Sequence, residues 1–239
     1  MNSIQPRHTW TSLRPKKVVR LKNPTTIYIH HTATVSGPDV PALLRGIQRY
    51  HMYRRGWFDI AYNFGVDYHG VIWELRGWGV EPGATKYHNH YSHAFVYIGN
   101  TQSHPVPDDA KRALAWLIDE AKRRYGPQVV RKHRDVAATA CPGAYLSAWL
   151  DAGRPLPPVT PAPSLLRKGD RGPAVQQLQR DLTYLGVANL APDGIFGRKT
   201  QRAVKKLQRF WGLSVDGIVG PKTRAVIDWL LTLTPQARK

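Results

Sequence analysis

A single cysteine, Cys141, among 239 residues excludes an intramolecular disulfide and leaves one thiol for other work, the ordinary use being a small buried hydrophobe. No apolar run approaches the roughly 20 residues that a membrane-spanning helix needs. The opening stretch MNSIQPRHTWTSLRPKK has basic residues but neither an apolar core nor a small-residue cleavage site, so no secretory signal peptide is expected. Acidic side chains are scarce, 16 against 35 Lys and Arg, and the resulting charge of +19 implies a polyanionic partner: nucleic acid, an anionic membrane surface or an acidic wall polymer. The surplus is spread along the chain. Residues 1–163 carry 21 basic and 11 acidic side chains and residues 164–239 carry 14 and 5, which argues against one disordered basic arm. Helix-turn-helix, RNP and zinc-finger spacings are also missing, so nucleic acid is not the expected partner.

What is present divides in two. Residues 151–163, DAGRPLPPVTPAP, hold five prolines in thirteen positions and are expected to form a stiff, extended spacer. It separates a first domain, residues 1–150, from a second, residues 164–239. The first alternates strand and helix patterns, as a mixed α/β domain does. Thr25–His31 is β-branched and aromatic; Ala61–Asp67 and Val71–Leu75 flank the turn signal Tyr68-His69-Gly70; His93–Gly99 is a further strand. Asp39 is placed to cap a helix over Val40–Arg54 with Pro41 in its first turn, and Asp108 to cap an amphipathic helix that Gly126 stops. The second domain contains a repeat: Asp193-Gly-Ile-Phe-Gly-Arg-Lys-Thr200 returns as Asp216-Gly-Ile-Val-Gly-Pro-Lys-Thr223, each copy followed by a helical pattern. With the helix expected over Pro173–Leu185, this makes a compact, all-α module of three helices. The repeated glycines serve tight turns before helices, an architectural role.

The strongest chemical signal is His133-Arg-Asp-Val-Ala-Ala-Thr-Ala-Cys141-Pro-Gly taken together with Ile29-His30-His31-Thr-Ala-Thr. Two histidines and a thiolate form a three-ligand set that leaves the fourth tetrahedral position open, the arrangement of a catalytic zinc rather than a structural one. Zinc would acidify water and polarise a carbonyl, so that amide hydrolysis needs no protein nucleophile. Taken alone, each of the ten histidines is more often a satisfied polar residue than a ligand. In a strand His30 and His31 face opposite ways, so only one of them can readily meet the metal.

Five separated segments, IHHTAT at 29–34, RGWFDIAYNFGVDYHG at 55–70, RGW at 76–78, SHAFVYIGN at 92–100 and HRDVAATACPG at 133–143, resemble the type 2 N-acetylmuramoyl-L-alanine amidases, which share their fold with peptidoglycan-recognition proteins. The resemblance covers roughly residues 25–150. It implies a mixed central sheet with flanking helices and a zinc site made by His30, His133 and Cys141, with His31 behind it or in packing. Tyr62 matches the family's active-site tyrosine, whose phenol can serve the attacking water or the developing oxyanion; by itself it is simply a good strand residue. Thr139 matches a position where relatives carry Thr or Lys, and its hydroxyl could donate to the tetrahedral intermediate or merely cap its loop. The pattern breaks at Gly83-Ala84-Thr85: relatives often carry a histidine after the small residue, and this chain does not, which leaves His88, His90 or His93 as candidates to line the groove. Residues 164–233, through LRKGDRGPAVQQLQRDLTYLG and the two Asp-Gly-Ile repeats, resemble a peptidoglycan-binding module, which implies binding without catalysis.

Three functions are thereby set against one another. The first is a zinc amidase cutting the bond between N-acetylmuramic acid and L-alanine, carried to peptidoglycan by its second domain, with its charge suited to anionic wall or outer-membrane polymers. The second is a non-catalytic peptidoglycan receptor; such receptors typically lose the cysteine that stands here as Cys141. The third, a nucleic-acid binder, rests on charge alone. A basic amidase of this kind, without an export signal, is expected to be a monomeric phage endolysin, made in the host cytoplasm and released to the wall through a holin. A host autolysin is the alternative.

Overall fold

The computed structural model describes residues 4–34, 39–68, 70–156 and 165–232. The chain forms two compact units, Met1–Leu156 and Pro157–Lys239. In the first, six strands form one mixed sheet: β1 (Ile4–Gln5), β2 (Thr26–His31), β3 (Phe64–Val66), β4 (Ile72–Glu74), β5 (Ser92–Tyr97) and β6 (Val129–Lys132), in the order β1-β4-β3-β5-β2-β6. Only β3 and β4 run antiparallel, joined through the expected turn, where Gly70 N–H donates to the Asp67 carbonyl at a positive φ; His69 itself lies outside the described residues. β2 is parallel to both neighbours, β5 and β6, and is buried along its whole length. Such burial on both faces explains its run of β-branched and aromatic residues.

Helices α1 (Val40–Arg49), α2 (Asp108–Tyr125) and α3 (Ala144–Asp151) flank the sheet. Asp39 caps α1, its carboxylate accepting from Ala42 N–H at 2.8 Å. The expected helix over Val40–Arg54 is two structures, since the α-helix gives way at Tyr50 to a π-helical turn, Tyr50–Arg54, that turns the chain toward the next motif. Asp108 is no cap: Pro107 occupies that position without a capping bond, and Asp108 and Asp109 instead place negative charge in the first turn of α2, where the helix dipole favours it. Gly126 ends α2 as expected, at φ +82°. One hydrophobic cluster joins Trp10, Val40, Leu44, Ile60, Leu75, Val96 and Ile98. Its outlying member, Trp10, is fixed by an indole N–H bond of 2.7 Å to the Glu74 carbonyl.

α3 runs to Asp151, the first residue of the expected spacer, and Trp149 Nε1 donates to the Pro155 carbonyl, so residues 151–155 still belong to the first unit; residues 157–163 of that segment lie outside the described residues. The second unit is three helices, α4 (Pro173–Tyr184), α5 (Arg198–Phe210) and α6 (Pro221–Thr232). Its repeat is built by two equal networks. Gln179 on α4 donates to Asp193 Oδ1, the Ile195 carbonyl and Thr200 Oγ1 and accepts from Gly194 N–H; Gln208 on α5 does the same with Asp216, Ile218, Thr223 and Gly217. Both amides are buried, so the repeated aspartate and threonine of each copy are consumed in holding a turn.

Candidate metal centre and its clefts

The site forms where β2 and β6 end. Parallel pairing sets Ile29 opposite Lys132, and one further step brings His30 beside His133, with ring centroids 4.7 Å apart. Ligands gather at the carboxyl ends of parallel strands for this reason. Cys141 closes the set from the loop after β6: its Sγ lies 3.6 Å from His30 Nδ1, and the ligand atoms of His30, His133 and Cys141 all fall within 4.8 Å of one another. The three side chains are positioned to bind a metal.

The donor chemistry fits a divalent, borderline-soft ion. His30 is buried, and burial pushes its pKa well below the ordinary histidine value, with His133 and His31 acting in the same sense; His133 is lowered by burial too. Both rings therefore sit in the neutral, ligating form. His30 turns its other nitrogen, Nε2, to Thr85 Oγ1 at 3.3 Å, which leaves Nδ1 for the cluster and fixes the ring's orientation. Burial pushes the free Cys141 thiol up to about 11, while the N–H of His31, 3.4 Å from the sulfur, and the charge of Arg134 pull it the other way. Metal uptake would therefore release a thiol proton.

His31 points away, as strand alternation requires. Its Nδ1 accepts from Thr101 N–H at 3.2 Å, and Thr101 Oγ1 bonds in turn to the Pro142 carbonyl. His31 thus braces the cysteine loop from behind, and Gly143 lets that loop approach: a Cβ there would lie 2.5 Å from Gln102 N. Arg134 holds the same loop by its N–H to the Cys141 carbonyl and its Nη2 to the Ala140 carbonyl.

Tyr62 stands at the edge of the cluster, its ring centroid 5.4 Å from that of His30, and burial pushes its phenol up. Thr139 is exposed and its Oγ1 accepts from Cys141 N–H at 3.2 Å, so the loop-capping role is real and the hydroxyl proton remains free to donate. Among the described residues, two clefts flank the cluster. One of about 700 Å³ is lined by Val19, Arg55, Trp57, Lys86, Asn89 and His133. The other, about 540 Å³, is lined by Thr32, Thr34, Leu43, Ile47, Tyr50 and Tyr62.

None of the three candidate groove histidines lines either cleft. His93 is buried, its Nδ1 bonded to Gln128 Oε1 at 2.9 Å and its ring against Tyr125; His88 bonds the Tyr91 hydroxyl, and His90 is exposed beside Tyr91. The residue in the place of the missing histidine is Thr85, and it serves His30. Sequence reasoning also passed over Asn63 and Arg76. The buried Asn63 donates to the Gly77 and Val80 carbonyls and accepts from Ala94 N–H, while Arg76 donates to the carbonyls of Ile60 and Glu81. These bonds tie together three of the five motif segments, whose common purpose no spacing reveals.

With this geometry, comparison with known proteins is decisive. The N-acetylmuramoyl-L-alanine amidase family model matches residues 20–144. The chain belongs to that family. A peptidoglycan-binding domain model matches residues 171–227. Peptidoglycan-recognition protein LB of Drosophila melanogaster is 32% identical over 161 residues, 60% of this chain and 67% of that protein. The structure of Drosophila PGRP-LB superposes with a TM-score of 0.59 at 29% identity, covering 63% of this chain and 93% of the other. An N-acetylmuramoyl-L-alanine amidase of Sus scrofa is 32% identical over 126 residues, 49% of this chain but 21% of the pig protein. PGRP-LE, solved with tracheal cytotoxin, a monomeric diaminopimelic acid-type peptidoglycan, matches at 29% identity and a TM-score of 0.58 over 63% of this chain and 94% of that one. The protein is thus a peptidoglycan amidase or recognition protein of the amidase and PGRP family, with a peptidoglycan-binding module.

Proposed function

We propose that the chain is a zinc-dependent N-acetylmuramoyl-L-alanine amidase, delivered to the wall by its second unit. The observation that carries this reading is the convergence of two neutral imidazoles and one thiol within 4.8 Å, with the Tyr62 phenol at their edge. Pure recognition needs no such donor set. Zinc held by His30, His133 and Cys141 would supply the Lewis acidity that activates water and polarises the scissile carbonyl. Tyr62, its phenol kept protonated by burial, donates to the charge that develops on the carbonyl oxygen. Thr139 adds a second donor, because Cys141 N–H occupies only one of its oxygen's lone pairs and leaves the hydroxyl proton free. Thr85 keeps the His30 ring from turning.

Peptidoglycan is the substrate this reading names, and the glycan-to-peptide amide is the bond. Mass spectrometry of digested sacculi tests it: free peptide stems released from intact glycan are expected, and no release by metal-loaded protein that still binds sacculi would establish the receptor reading. That second reading draws on the PGRP relatives, and the retained Cys141 argues against it. The basic charge, the wall-binding unit and the compact size further support a monomeric phage endolysin, made in the cytoplasm of the host and acting on the wall after a holin opens the way, with a host autolysin as the alternative.

A further inference from the structure

Helix α5 carries six cationic side chains in thirteen residues, Arg198, Lys199, Arg202, Lys205, Lys206 and Arg209, and no acidic one. At 100° per residue all six fall in a sector of about 120°, and the stripe from Arg198 to Arg209 is about 16 Å long. Lys205 is half-buried against the Gly217 turn and drawn to the Asp216 carboxylate; the other five are exposed. Among the described residues none of the six is in an ion pair. The contrast with α2 is direct: there Lys111 and Arg112 pair with Asp108 and Asp109, and Arg123 and Arg124 share Glu120, each one turn away. Lys206 Nζ donates to the Val187 carbonyl, so it and Lys205 serve the unit's own fold; the remaining like charges, Arg198, Lys199, Arg202 and Arg209, destabilise their own helix, a cost that the fold of the unit does not require.

We infer that this face of α5 binds a linear polyol-phosphate polymer of the cell wall. The inference rests on reading the second unit as a wall-binding module and adds a second ligand to it, distinct from peptidoglycan. A lipid surface fits less well: the apolar side of α5, Ala203, Val204 and Leu207, is buried in the unit's own core and cannot enter a bilayer. Nucleic acid fits less well too, since no aromatic side chain stands among the cations to stack on bases and Phe210 lies only at the end of the row. A flexible phosphodiester chain needs neither. It needs regularly spaced charge, which side chains three and four residues apart provide at about 5–6 Å intervals.

The test uses the full chain with Arg198, Lys199, Arg202 and Arg209 changed to Gln, and a control of equal charge with Lys111, Arg112, Arg123 and Arg124 changed to Gln. Thermal melts establish that both fold. Binding of synthetic poly(glycerol phosphate) by the α5 variant is expected to fall on the order of tenfold or more near 50 mM salt, with a shallower dependence of log K on log salt, while the control stays close to wild type. Equal losses in the two variants, or none in the first, would overturn the proposal. So would duplex DNA bound more tightly than the polymer through the same four residues. Walls stripped of phosphate polymer separate this idea from the reading beneath it. Both the wild type and the α5 variant should bind them alike; failure of the wild type there refutes peptidoglycan binding and leaves the polymer measurement standing.

Discussion

Replacing Cys141 by alanine leaves His30 and His133 as two neutral donors with a gap where the sulfur stood, too few to hold a metal ion firmly. Elemental analysis of Cys141→Ala is expected to find zinc lost, and full occupancy with full activity would refute the ligand set. His31→Ala should keep its zinc, because that ring faces Thr101 and only its backbone N–H and carbonyl reach the sulfur, and the substitution keeps both. Tyr62→Phe removes one donor without disturbing the cluster. Muropeptide hydrolysis is expected to slow by a factor on the order of 10² to 10³ with zinc and fold retained, the usual loss for one transition-state donor. Wild-type rates would make Tyr62 an ordinary packing residue beside the hydrophobic cluster. Thr139→Val should show a smaller loss, and it also tests whether the cap on Cys141 N–H matters, since the same change removes that bond.

Among the elements, the two glutamine-centred turns of the second unit offer a paired measurement. Gln179→Ala and Gln208→Ala each strip a buried turn of its donors and leave the N–H of Gly194 or Gly217 without its acceptor. Each is expected to destabilise the unit by about 1–3 kcal/mol, read by denaturant unfolding, and the two costs should be close because the networks are the same. A large inequality would mean that one copy carries more than architecture. The repeat that locates these turns was legible as sequence, as were α1, α2, α4, α5, α6 and β2, since each is long or periodic enough to declare itself. β6 was not: Val129–Lys132 is four residues on an edge, half exposed, and its identity comes from pairing with β2. α3 is two turns without a strong polar face. At the site, His133 and Cys141 are close in sequence and visible there, and strand alternation narrowed His30 and His31 to one. Thr85 meets His30 across 55 positions and Thr101 meets His31 across 70, and no local pattern carries such a distance.

For the whole molecule, the division into two compact units at Leu156 allows the proposed roles, chemistry in the first and targeting in the second, to be measured apart. A chain ending at Leu156 retains α3, the Trp149 bond to Pro155 and every proposed metal ligand and donor, so it is expected to fold alone. It should bind zinc and cut small soluble muropeptides about as fast as the full chain. On whole walls it should be slower, because the lost unit no longer raises the local concentration of the catalytic one at an insoluble substrate. Salt divides that deficit into two parts. Attraction between the basic protein and anionic polymers is screened over roughly 8 Å at physiological ionic strength and over less as salt rises, so the part of the full chain's advantage that rests on charge fades. What persists at high salt is recognition of peptidoglycan by shape and hydrogen bonding. If the chain ending at Leu156 cleaves walls as fast as the full protein at every salt concentration, the second unit does not target the enzyme, and its repeat is an architectural appendage.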